Sequence, residues 1–579
     1  MKTLATTLIA AATLLPLTTQ AQPVEIKIIQ TSDVHGNAFP HDFITQAPGK
    51  GSLSRVATYV NHLREKHPDR VILLDNGDIL QGQPPAYYFN FIDTTSTHLF
   101  AATLNFIGYD AAVPGNHDFE PGHSVYDRWA AGCKFPILAA NVIDTHTGLP
   151  YFRPYTIIER SGVRVAVLGL TTPSVPQWVP ADRWSGLRFE PMLATARKWL
   201  AIINEQEKPD AVVGLFHSGK EGGSIEGDIV ENACMQIARE LPGFDVIFMG
   251  HDHTLANERV KSADGSEVIL INPAARASYA SEVTLHIEKA DGKLISKKVE
   301  AGLANIDGLA PDDHFMETFY PALESVHAFV SRPIGQFTET ISARDAFFGP
   351  SAFIDFIHTM QLSIGQGAEI SFAAPLSTTA EIKQGIITVA DMFKLYPYEN
   401  SLYVMQLYGH EIKNYLEMSY ALWTNTMQSP TDHIIKLKAP TDTTGYRTRF
   451  ANPTYNFDSA AGILYTVDVT KPEGSKITIT GMADGRPFHP DTAYRVAVNS
   501  YRGNGGGELL TQGAGIPHAE LQSRVLYTTP HDLRYYMMNH IMQQQTLTPR
   551  PLNHWRFTPE HLTAPAITLD RRELFGKNK

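Results

Sequence analysis

The chain has 579 residues, 43% of them hydrophobic and 19% charged, with a formal net charge of −12. A single hydrophobic core stops growing near about 250–300 residues, so this length predicts two domains. The ordinary composition excludes a disordered or collagen-like chain, and the acidic balance excludes nonspecific binding to nucleic-acid polymers, which needs a Lys/Arg excess to neutralise phosphates.

Residues 1–21 read as an export signal: Lys2 supplies the charged start, Leu4 to Leu17 the apolar stretch, and Thr19-Gln20-Ala21 a small-residue cleavage site. Threonines and Pro16 interrupt the stretch, and it falls short of the ~20 apolar residues that span a bilayer. We therefore expect a mature protein that is periplasmic or secreted, with no membrane insertion, and monomeric. Cys133 and Cys234 have no metal-ligand spacing and are expected as two separate buried thiols.

From residue 25 the chain alternates apolar runs with amphipathic segments. Residues 25–30 read as a strand, Leu53, Val56, Ala57 and Val60 recur at helical spacing, and 71–74 form a second strand. Further strands are predicted at 163–170, 211–216, 246–249 and 268–271, an α/β pattern. Beyond about residue 305 the character changes. Pro311-Asp312-Asp313 opens a helix that runs to about Val330, and Arg332-Pro333 closes it. We read 22–310 as the first domain, 311–335 as a linker and hinge, 336–560 as the second domain and 561–579 as a polar tail. The second domain carries a helix near 351–362, with Phe353, Phe356, Ile357 and Met360 on one face. Strand-like runs follow at 402–408, 463–469, 476–480 and 494–499, which makes it α+β.

Five blocks carry the chemistry: Asp33-Val34-His35, Gly77-Asp78, Gly115-Asn116-His117-Asp118, His217 and Gly250-His251-Asp252-His253. Asp33, Asp78, His217 and His251 each follow a predicted strand, and in open α/β sheets ligands gather beyond the carboxyl ends of strands. One turn explains one such block; five in this order point to a centre of two divalent ions. Such a pair, about 3.5–4 Å apart, clamps the attacking and leaving oxygens of an in-line phosphoryl displacement. Asp78 is the predicted bridge, since Gly77 lets the backbone turn sharply before it. Asp33, His35 and His253 complete the first position, and Asn116, His217 and His251 the second. Oxygen and nitrogen donors without thiolate fit Zn, Mn, Fe or Co. His117 is expected beside the ions as a catalytic group that stabilises charge or protonates the leaving oxygen, with Asp118 or Glu120 orienting its other nitrogen.

These motifs resemble those of the calcineurin-like metallophosphoesterases, and the second half resembles the C-terminal domain of the 5′-nucleotidase family, which includes 2′,3′-cyclic-nucleotide 2′-phosphodiesterase/3′-nucleotidases. The resemblance implies a four-layer α/β/β/α metallophosphoesterase domain followed by an α+β substrate-binding domain that rotates about the linker. It also implies a nucleoside held between Tyr398, in Tyr396-Pro397-Tyr398-Glu399-Asn400, and Tyr501, in Asn499-Ser500-Tyr501-Arg502-Gly503-Asn504, with Asn400, Arg502 and Asn504 as further substrate contacts. Three departures stand out. Phe372-Ala373-Ala374-Pro375-Leu376-Ser377 replaces a Gly-Gly-x-Arg phosphate-binding segment, Gly507 replaces a ribose-gripping Asp, and Glu120 stands where the His partner is often Asp. The first two point away from a strict 5′-nucleotidase and toward the cyclic phosphodiesterase/3′-nucleotidase branch. A 5′-nucleotidase or UDP-sugar hydrolase is the alternative enzyme, a thiosulfohydrolase a more distant one, and a non-catalytic nucleotide-binding or surface protein the alternative of another class.

Overall fold

The structure is a computed structural model that describes residues 23–290, 293–438 and 450–576. The predicted export signal lies outside these residues. Among them no helix is long and apolar enough to cross a membrane, and both cysteines are free.

Two sheets face each other in the first half. One has the order Lys293–Asn305, Tyr279–Ala290, Val24–Thr31, Val71–Asp75, Ala111–Ala112; the other has the order Leu255–Lys261, Glu267–Pro273, Val246–Phe248, Ala211–His217, Val163–Thr171, Tyr155–Arg160. The central strands of the second sheet run parallel, with Val213 opposite Val246 and Val167. Being covered on both faces, they read as continuous apolar runs rather than alternating ones. Ile28, Leu74 and Val113 from one sheet meet Val165, Val213 and Phe248 from the other in a common core.

Helices close the outer faces. Leu53–Lys66 buries Leu53, Val56, Ala57 and Val60, the stripe predicted from spacing, and Ser52 caps it by accepting a hydrogen bond from Arg55 N. Asp313–Val330 is capped by Asp312, whose carboxylate accepts from Phe315 N at 2.8 Å. Met192–Gln206 and Cys234–Glu240 cover the second sheet. The four layers are as expected. The long hairpin Tyr279–Ala290 and Lys293–Asn305 is an addition: it pairs antiparallel with Val24–Thr31 and was not predicted. Its outer strand is mostly exposed and Lys-rich, so it carries little apolar periodicity.

In the second half a five-stranded sheet has the order Ser459–Ala461, Ile370–Ala373, Ala493–Asn499, Ser401–Tyr408, Val525–Asp532. Gly409–Trp423 packs on it and sends Trp423 into a stack with Tyr420 (4.9 Å) and Phe457 (5.6 Å). Residues read as a polar tail lie largely in the helix Glu560–Phe575, where Leu562, Ala566 and Leu574 are buried against this core. Those apolar positions are spaced by four and eight residues, with Asp570 in the turn between, too sparse to stand out among the charges of Asp570-Arg571-Arg572-Glu573.

The halves share one apolar core, since Tyr87 and Phe329 pack with Phe393. Beside them Arg534 is fully buried, 3.8 Å over the Phe393 ring and 3.0 Å from Glu399. Trp423 is wholly buried, and Trp423→Ala is expected to cost about 3–5 kcal/mol through lost transfer energy and a cavity. Urea unfolding followed by fluorescence measures it.

Candidate metal centre

Every predicted metal ligand comes to the same sheet edge. Asp33 and His35 follow the strand Val24–Thr31, Asp78 follows Val71–Asp75, His217 ends Ala211–His217, and His251 and His253 follow Val246–Phe248. Asn116 opens the short helix Asn116–Phe119. Donor atoms of Asp33, His35, Asp78 and His253 lie within 4.8 Å of one another, as do those of Asp78, His217 and His251. Asp78 belongs to both groups. Asn116 joins the second, its Oδ1 lying 2.8 Å from His251 Nδ1 and 3.2 Å from His217 Nε2.

The backbone there is unusual. Asp33, His35, Asp78, His251 and His253 all have positive φ, between 46° and 72°. A non-glycine residue in this region costs on the order of 1–3 kcal/mol and persists only where the surroundings enforce it. Glycines leave room for it here: a Cβ on Gly115 would lie 2.1 Å from Asp78 Oδ1 and 2.6 Å from His217 Cε1, and one on Gly250 2.3 Å from Ser32 Oγ.

The donor set fits divalent cations. His35 Nε2 and His253 Nε2 face each other at 3.0 Å, with Asp33 Oδ1 3.3 Å from the latter. Such convergence of acceptors is stable around a shared positive charge. Burial pushes His35 down to about 3, which leaves its ring neutral as a ligand must be. Burial alone would lower His217 as well, but the Asp78 carboxylate 3.3 Å away outweighs it and raises the ring to about 9, so a cation held by His217 takes the place of a proton there.

His117 lies edge-on to His35, with ring centroids 5.4 Å apart. Its Nδ1 meets Glu120 Oε1 at 2.8 Å, which leaves Nε2 as the nitrogen able to meet a substrate oxygen. Of the two candidate partners, Glu120 makes this contact. Asp118 turns the other way, accepting from the backbone N–H groups of Asp78, Ile79, Leu80 and Gly115 at 2.7–2.9 Å, and so holds the Asp78 turn.

From the second half, Tyr398 and Tyr501 are brought to this edge. Burial raises both phenols, and the acidic neighbours that add to the effect include Glu120 for Tyr398 and Glu231 for Tyr501. Asn400 donates to Tyr396 Oη at 3.3 Å, and Asn504 is buried with its Nδ2 unpartnered. The Arg502 guanidinium is buried and committed to Asp458, Asn456 and the carbonyls of Tyr455 and Gly506. It ties two loops together.

Three supporting residues were not predicted. Asn76 accepts from His217 Nδ1 through its carbonyl at 2.6 Å, Gln81 Oε1 lies 3.1 Å from His35 Nδ1, and Glu231 Oε1 lies 3.0 Å from His251 Nε2. Asn76 and Gln81 flank the Gly77-Asp78 block and were within reach of sequence reasoning; Glu231 has no local signal. Gly115→Ala is expected to displace Asp78 and His217 and to lower phosphoesterase activity about 100-fold or more, since misplacement by about 1 Å has that effect. Steady-state kinetics with added metal test it.

Residues 26–255 match the calcineurin-like phosphoesterase family, and residues 333–512 match the 5′-nucleotidase C-terminal domain. The chain is 25% identical to the 2′,3′-cyclic-nucleotide 2′-phosphodiesterase/3′-nucleotidase of Yersinia enterocolitica, over 95% of this chain and 91% of that protein. It is 26% identical to the trifunctional nucleotide phosphoesterase of Bacillus subtilis over 93% of its own length, which is 39% of that longer protein. A Staphylococcus aureus structure solved with α-ketoglutarate shares the fold, with a TM-score of 0.75 at 20% identity, over 92% of this chain and 100% of that one. The chain thus carries a calcineurin-like phosphoesterase domain followed by a 5′-nucleotidase C-terminal domain, and is a metal-dependent phosphoric ester hydrolase with two divalent ions.

Proposed function

We propose that this protein hydrolyses nucleotide phosphate esters to nucleoside and inorganic phosphate, opening 2′,3′-cyclic nucleotides at the 2′ bond and removing the 3′ phosphate, as an exported enzyme of nucleotide catabolism. The observation that carries the reading is the pair of donor groups sharing Asp78, set beside tyrosines contributed by the other half of the chain. Relatives named for cyclic and 3′ esters, matched over most of both chains, support the same branch.

Asp33, His35, Asp78 and His253 would hold one cation, and Asp78, Asn116, His217 and His251 the other. Bound there, the ions supply Lewis-acid activation of the phosphoryl group and of the attacking water. The rest falls to the chain. His117 Nε2 donates to the oxygens that gain charge and delivers a proton to the leaving hydroxyl, while Glu120 on Nδ1 fixes the tautomer and stabilises the imidazolium. Tyr398 and Tyr501 stack on the base, a contact worth about 1–3 kcal/mol that tolerates any base. Gly507 supports the substrate branch. A Cβ there would lie 2.1 Å from Asn456 Oδ1 and 2.2 Å from Arg502 Nη1, so no side chain can grip the ribose from that position.

The hinge proposal narrows. Pro333–Phe337 already pairs with Gly385–Thr388 in the second half and the Arg332 carbonyl accepts from Val389 N, so a rotation would turn about Ser331, after the helix Asp313–Val330. A crosslink between the halves is expected to slow turnover, and unchanged kcat in the locked protein contradicts rotation.

The primary test is phosphate release from 2′,3′-cyclic AMP, 3′-AMP and 5′-AMP by metal-stripped protein with manganese or zinc restored, the cyclic ester being followed by a coupled phosphodiesterase assay. Metal-dependent hydrolysis led by the cyclic and 3′ esters is expected; dominant 5′-AMP hydrolysis assigns a 5′-nucleotidase instead. Asp78→Asn should lower kcat at least about 10³-fold, because losing the shared ligand removes several kcal/mol of charge stabilisation. Wild-type turnover in that variant contradicts the site.

A further inference from the structure

The three inner histidines of the centre are steered by different groups. His217 Nδ1 is held by the Asn76 carbonyl at 2.6 Å and His35 Nδ1 by Gln81 Oε1 at 3.1 Å, both neutral acceptors. His251 is the exception. Its Nδ1 faces Asn116 Oδ1 at 2.8 Å, while its Nε2 meets a carboxylate, Glu231 Oε1, at 3.0 Å. The flat face of Trp178 lies against the same imidazole, 5.4 Å between centroids and 23° between planes. His251 also sits at φ 72°, a backbone state that holds only under constraint.

Glu231 is itself fixed. Its second oxygen accepts from Ser224 N at 2.7 Å, its N–H donates to Ser224 O at 3.0 Å, and its carbonyl accepts from Ser218 Oγ at 2.8 Å, one residue after His217. Side-chain exposure is 18% for Glu231 and 11% for His251, so the contact is shielded from water. A carboxylate in that position makes Nε2 the protonated nitrogen and presents the Nδ1 lone pair, in a set direction, to Asn116 and Asp78. The loop that carries it, 219–232, also faces the second half of the chain, where Glu226 lies 3.9 Å from His518.

We infer that Glu231 is the positioning residue of the second cation position: it selects the tautomer of His251 and aims Nδ1, so the cation held by Asp78, Asn116, His217 and His251 depends on a carboxylate that touches neither metal nor substrate. The inference rests on the two-metal reading. Loss of such a partner typically lowers metal affinity or activity about 10–100-fold. The effect is selective, because the first position draws on Asp33, His35 and His253, none of which Glu231 meets.

The test titrates manganese into metal-free wild type, Glu231→Ala and Glu231→Gln, read by metal content after gel filtration and by the electron-paramagnetic signal of the spin-coupled ion pair. Wild type is expected to fill two positions. Glu231→Ala should fill one with unchanged affinity and the second about 10–100-fold more weakly, with the coupled signal replaced by an isolated-ion signal. Its kcat should fall at low manganese while KM for the nucleotide stays constant. Glu231→Gln keeps an oxygen that accepts from Nε2–H but turns its amide nitrogen toward the Ser224 N–H, so it should recover much of the second affinity while losing that support; an unchanged melting temperature without metal, measured for both variants, checks that folding is undisturbed. Two equal, wild-type affinities in Glu231→Ala overturn the inference and leave the two-metal reading standing. Equal weakening of both positions overturns it as well. A wild type that holds fewer than two ions overturns the reading and the inference together.

Discussion

One carboxylate organises the candidate metal centre. Asp78 is buried to 1% exposure and stands where two sets of ligands overlap, with His217 on one side and the His35 and His253 pair on the other. An isolated buried carboxylate is expensive, and several converging imidazole nitrogens are no better; together they are stable only with positive charge among them. The fold reaches this arrangement by ending strands of two facing sheets at one edge and turning the chain there through left-handed residues. Asp118 anchors the central turn with four backbone hydrogen bonds, and Gly115 leaves the space into which Asp78 and His217 close.

The site was more legible in the sequence than the fold around it. The candidate ligands follow from chemistry that repeats in a fixed order, and four of the five blocks stand next to a strand that announces itself by an apolar run. What surrounds the ligands was harder to see. Asp118 and Glu120 were equivalent candidates by position, and only three dimensions separate the one that meets His117 from the one that meets the backbone. Arg502 reads as a substrate contact in a loop beside a tyrosine, yet its guanidinium is used up inside the protein by Asp458 and its neighbours. Glu231 lies 20 residues from His251 in a loop with no motif, and positive φ at ligand residues leaves no trace in composition at all.

The fold divides in the same way. Strands buried on both faces, such as Val71–Asp75, were visible because Val71 to Leu74 are all apolar; the exposed Lys293–Asn305 strand was not, because an edge strand rich in lysine hides its pairing. The helix Glu560–Phe575 was obscured for a related reason, since a few buried positions among many charges do not make a stripe.

The two halves meet at the place where chemistry requires them. Tyr398 and Glu399 approach Glu120, Tyr501 approaches Glu231, and the shared core around Tyr87, Phe329 and Phe393 packs the halves together. Glu399 and Glu120 each keep one buried oxygen without a hydrogen-bond partner, beside the very histidine assigned to the leaving group. Substrate hydroxyls and phosphate are the groups that can satisfy such oxygens and cations together. The most direct measurement is a crystal structure of the manganese-loaded protein with anomalous diffraction: the account predicts two peaks about 3.5–4 Å apart, bridged by Asp78 and ligated as the donor groups stand, whereas a single peak, or a pair that Asp78 does not bridge, would contradict it.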